Sequence, residues 1–136
     1  MNDRLAVYGD IVATAMLCRD WYHESSSKAT WTSIRNQFLS NTYLAETGFS
    51  LGLDHCVIKD AGTSSVSDKM MAIAVGAILG AVHLDGGDNA LRHVLAQLRI
   101  VSPTDPLVMF HDPSLFLACT RQICNNLHGL EHATST

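Results

Sequence analysis

Apolar residues near the start of the chain recur at three- and four-residue steps. Leu5, Tyr8, Val12, Ala15 and Met16 line up as one stripe, and the spacing predicts an amphipathic helix over 5–22. A polar stretch at 24–28 breaks it. Thr30 is placed to cap a second helix carrying Trp31, Ile34, Phe38 and Leu39, and Asn41 to cap a third with Leu44 and Ala45 that stops near Gly52. Residues 59–65, with Gly62 and several hydroxyl side chains, read as a loop. Ser67 or Asp68 then caps the longest apolar helix, over 69–84. It is apolar nearly all round and carries Gly76 and Gly80, where a missing side chain lets another helix come close, so it belongs at the centre of the core. Asp85-Gly86-Gly87 ends it and Asp88 caps a further helix through Ile100. Pro103 and Pro106 mark a linker. Asp112-Pro113 opens a last helix to about Leu127, with Leu115, Phe116, Cys119 and Ile123 on one face. The chain therefore reads as all-α, with a helical domain over 1–102 and a linker and C-terminal helix over 103–136.

The totals narrow the function. A chain of 136 residues, 47% apolar and 16% charged, makes one packed domain and not a disordered segment. Its net charge is −4, and the nine basic residues are scattered. Proteins that hold duplex RNA by its phosphates cluster Lys and Arg, because counterion release supplies most of the affinity, so RNA is not the expected partner. Cys18, Cys56, Cys119 and Cys124 have neither CxxC nor zinc spacing and read as buried thiols of a reducing compartment. No signal-peptide pattern precedes the first helix, and the apolar run 70–82 is too short to span a membrane. A cytoplasmic protein without membrane contact is expected. The seven histidines contain no pair of the HExxH type. His83 and His93 sit on helices, the others at helix ends or in loops, and all read as surface residues, with Tyr8 and Trp31 as core.

Two segments carry a more specific signal. Residues 2–10, NDRLAVYGD, follow the pattern NERLEFLGD, and residues 72–87, AIAVGAILGAVHLDGG, follow ADALEALIGAIYLDGG. Between them Ile34-Arg35, Leu39-Ser40-Asn41, Leu44 and Leu51-Gly52-Leu53-Asp54 keep the same order. In these features the chain resembles the catalytic domain of the ribonuclease III family over about 2–100. The resemblance implies an all-α fold and a two-fold homodimer built around the signature helix and the long helix. The helices that precede the signature in that family have no counterpart here, and the C-terminal helix is expected to fill the groove they would leave.

The family cleaves duplex RNA with divalent metal ions held by carboxylates from two helices. Carried over, the ligand positions of the signature are Ala6 and Asp10, four residues apart on one helical face, and those of the long helix are Ile73 and Gly76. Asp3 takes the place of a supporting acid. One of the four ligand carboxylates remains. The nearest acid upstream of Ile73, Asp68, is out of register, and Glu24, Glu46 and Glu131 lie away from both motifs. A hard divalent cation needs several oxygen ligands, so no metal and no other cofactor is expected.

Three functions follow from this. The first is a non-nuclease scaffold or binding protein, a pseudoenzyme acting as a dimer. The second is a repurposed cleft, apolar and roomier around Asp3, Ala6, Ile73 and Gly76, that binds a small hydrophobic molecule and transforms it without metal. There Asp10 is the catalytic acid or base and Lys69, one turn before Ile73, its partner or the contact for a ligand anion. The third is a weak residual endoribonuclease.

Overall fold

The computed structural model describes residues 2–100, which fold as four helices with no strand among them. Helix α1 spans Asp3–His23, α2 Lys28–Phe38, α3 Asn41–Ser50 and α4 Asp68–Gln97, with a single 3-10 turn at Leu53–His55. The expected linker and C-terminal helix lie outside the described residues.

The caps of α2 and α3 sit upstream of the positions the spacing suggested, and that of α4 is the first of its two candidates. Ser27, not Thr30, caps α2, its hydroxyl accepting from the Thr30 N–H, and Ser40, not Asn41, caps α3 by accepting from the Tyr43 N–H. Ser67 caps α4 in the same way through the Met70 N–H. In each case the serine has extended backbone and its oxygen satisfies a donor of the first helical turn, which has no partner within the helix. A Trp21 indole N–H to the Ser27 carbonyl (2.8 Å) and the tilted Trp21–Trp31 ring pair close the turn between α1 and α2.

Helix α4 is broken once. Gly87 has φ 71° and ψ −161°, a conformation open in practice only to glycine. Asp88 is thus the first helical residue after the break and not its cap. The second segment ends on Arg99 with φ 55°, where the Arg99 and Ile100 N–H groups donate back to the Ala96 and Leu95 carbonyls and fully bury Ile100.

The first segment of α4 lies between α1 and α3. Met71, Val75 and Leu79 are buried, and α3 reaches them through Gly48, which lies against Met71 and Val75. On the other side α1 crosses almost in backbone contact. A Cβ added to Gly9 would collide with the Gly76 carbonyl oxygen and come within 2.5 Å of the Gly80 nitrogen, and one added to Gly80 would collide with the Leu5 carbonyl oxygen. By length and composition α4 could cross a membrane. Met71, Ala72, Val75, Leu79, Leu91 and Leu95 instead place it in the core of the fold.

Candidate functional site

The crossing of α1 and α4 brings together two of the four positions at which the resemblance puts metal ligands. A Cβ on Gly76 would stand 3.3 Å from the Ala6 carbonyl oxygen and 3.5 Å from the Ala6 methyl carbon. The volume left free there is therefore smaller than expected, because even a single methyl group on residue 76 would press on Ala6. Ile73 is half-buried and offers no oxygen. Among the described residues no three His, Cys, Asp or Glu side chains are grouped to hold a metal ion. A divalent cation that needs several oxygen ligands does not fit this residue set.

Asp10 is exposed, not enclosed among apolar neighbours. It opens on a cleft of about 420 Å3 between α1 and the α2–α3 turn, lined by Asp10, Thr14, Arg35, Asn36, Leu39 and Ser40. Leu39 is the one apolar residue of this lining, which includes none of Ala6, Ile73 and Gly76. Two of the hydroxyls are engaged. Thr14 donates to the Asp10 carbonyl (2.6 Å) and Ser40 caps α3. Lys69 and Asp3 are exposed, and no ion pair among the described residues joins Lys69 to Asp10.

A connected chain of polar contacts that was not anticipated lies on the other flank of α1. Tyr8 and His83 are neither plain core nor plain surface. The Tyr8 hydroxyl is 2.6 Å from His83 Nδ1, and His83 Nε2 is 2.8 Å from Asp88 Oδ1. The Arg19 guanidinium approaches Asp88 Oδ2 at 3.4 Å. A carboxylate only accepts, so Nε2 carries the proton toward Asp88, and in the neutral ring Nδ1 accepts the proton of the Tyr8 hydroxyl. Gly87 makes this possible, since the break turns Asp88 back toward His83. A sequence signal existed. Tyr8 stands where the family signature has Leu and His83 where the family helix has Tyr, and the two departures meet.

The hydrogen bond from His83, reinforced by Arg19 against a smaller dehydration effect, holds the Asp88 carboxyl below its ordinary value of 3.8. A depressed carboxyl contributes stability above its unfolded pKa and loses it as the pH falls through the folded one. The contribution is therefore present above about pH 3.8 and lost below it. Thermal unfolding followed at pH 5 and pH 3 should show a larger drop for the natural chain than for Asp88→Asn. The difference will be small, because the Asp88 side chain is 56% exposed.

A second ion pair fixes the far segment of α4 to α1. Arg92 makes two parallel bonds to Asp20, at 2.8 and 3.0 Å. Of the cysteines, Cys18 is free and half-buried, whereas Cys56 is disulfide-bonded and departs from the expected set of free thiols.

Comparison with known proteins agrees with the helical order and the two motifs. The chain is 28% identical over 104 residues to Ribonuclease 3 of Phocaeicola vulgatus, a match that covers 75% of this chain and 33% of the relative. The chain thus spans about a third of the length of the curated relative it matches. No solved structure matches it. The family model of the ribonuclease III domain matches residues 3–87, from the first turn of α1 to the break in α4. With both motif helices and everything between them inside that match, the chain belongs to the ribonuclease III domain family.

Proposed function

We propose that this member of the family has lost metal-dependent cleavage of duplex RNA and works as a non-nuclease binding protein, as a homodimer. One observation carries the reading. Ala6, Ile73 and Gly76 stand where the family chemistry needs carboxylates, and Gly76 packs on the Ala6 backbone. Asp10 alone cannot organise the ions that activate water and stabilise the leaving oxygen. The scattered basic residues and the net charge of −4 give duplex RNA no electrostatic footprint.

The outward face of α1 supports the dimer. Val7 is 61% and Ile11 62% exposed, one turn apart on α1. Apolar side chains exposed in a row on one helix suit an isologous contact between two copies.

The test is incubation of purified protein with annealed duplex RNA and magnesium or manganese, beside sedimentation velocity. The expected result is uncut RNA and a dimeric species that shifts toward monomer in Ile11→Lys. Duplex cleavage that disappears in Asp10→Asn would overturn the proposal.

A second reading rests on the polar cleft. Asp10, Arg35 and Asn36 line one concavity, and a small molecule bearing both a hydrogen-bond donor and an acidic group would find partners there. Asp10 serves that reading as a binding residue, while Lys69 lies outside the lining.

A further inference from the structure

The three tyrosines of the chain differ in what their hydroxyls meet. Tyr43 is directed at the backbone carbonyls of Leu98 and Arg99, at 3.4 and 3.2 Å. Tyr22 is 73% exposed, and no hydrogen bond reaches its hydroxyl among the described residues. Tyr8 alone meets a nitrogen base, at 2.6 Å, and that base is itself oriented by a carboxylate at 2.8 Å. A nucleophile within hydrogen-bond reach of a base, with a third group fixing the base, is the arrangement by which hydroxyl side chains are activated for covalent chemistry.

We propose that Tyr8, His83 and Asp88 form an activated-tyrosine site that accepts an acyl group from small, neutral activated esters. The inference stands independently of the dimer and of the cleft beside Asp10. In the step, Tyr8 Oη forms a bond to the acyl carbon while its proton passes to His83 Nδ1. The bond from that carbon to the leaving oxygen breaks, and the leaving oxygen takes the electron pair. His83 then returns the proton to it, so that the products are a tyrosine ester and a free alcohol. Asp88 faces the imidazolium formed midway and acts as a positioning residue. Arg19, the cation tied into this chain of contacts, is already paired with Asp88, so a neutral acyl group suits the site better than an anionic phosphoryl donor.

The experiment is exposure of the purified protein to p-nitrophenyl acetate, with acetylation of each tyrosine followed by peptide mass spectrometry. Positioned general-base assistance is worth on the order of a hundredfold or more, so Tyr8 should acquire the acetyl group at least about tenfold faster than Tyr22 although it is the less exposed. In His83→Gln the amide can still accept from the hydroxyl but cannot carry its proton, and the rate at Tyr8 should fall to that of Tyr22. Thermal unfolding of that variant checks that it is folded, and the Tyr8 to Tyr22 ratio in the natural chain decides the matter if it is not. Equal rates at the two tyrosines, or an undiminished rate at Tyr8 in folded His83→Gln, would overturn the proposal.

Discussion

Replacing Gly9 by alanine should destabilise the protein by at least about 3 kcal/mol, read as a fall in its urea midpoint. On a solvated helix the same change gains up to about 1 kcal/mol, because glycine is the weaker helix former. The sign reverses here because the new Cβ would collide with the Gly76 carbonyl oxygen and crowd the Gly80 nitrogen. Both are backbone atoms of α4 that no rotamer change can move. Overpacking among side chains costs about 1–3 kcal/mol, and forcing two helices apart costs more. Gly62, with no atom within 4 Å of a built Cβ, is the control. Gly62→Ala should stay within about 0.5 kcal/mol.

The second large effect is expected at Leu91, which is fully buried on the far segment of α4. Truncation to alanine removes the transfer free energy of the lost carbons and leaves a cavity, together worth about 2–5 kcal/mol. Ile58→Ala, at a side chain 55% exposed, should change stability by less than about 0.5 kcal/mol. Set against the roughly 5–15 kcal/mol that a domain of this kind holds in total, either large change brings the chain near its unfolding threshold. Chemical denaturation monitored by tryptophan emission gives both values, since Trp21 at the end of α1 and Trp31 in α2 pack across the turn between them. An unaltered midpoint in Leu91→Ala would show that the far segment adds nothing to the cooperative core.

The helices were legible in the sequence because their signal is repeated. Each apolar stripe places several residues at helical spacing, and two motifs in order fixed the family. The caps of α2 and α3 were misplaced by one to three residues because Ser27 and Ser40 compete with neighbouring Thr30 and Asn41 for a role that only backbone geometry assigns, whereas the choice of Ser67 or Asp68 at α4 included the serine that caps it. The candidate site was legible only as an absence. That Ala6, Ile73 and Gly76 carry no acid can be read from the letters. That Gly76 rests on Ala6, and that Asp10 opens toward Arg35 across a polar cleft, depends on how α1 crosses α4 and α2. The Tyr8–His83 contact joins residues 75 positions apart. Its third member comes within reach through the φ of a single glycine, and no periodicity encodes that.

Where α1 passes closest to α4 the contact is made by glycines and carbonyls, and the charged pairs Asp20–Arg92 and Arg19–Asp88 lie farther along the two helices. A joint of that kind is indifferent to the chemistry displayed beside it. Acids can be exchanged for methyl groups at its rim, and polar chains carried on the opposite flank, without disturbing the contact between the two backbones. Drift in reactivity is uncoupled from the risk of unfolding wherever two helices meet main chain to main chain.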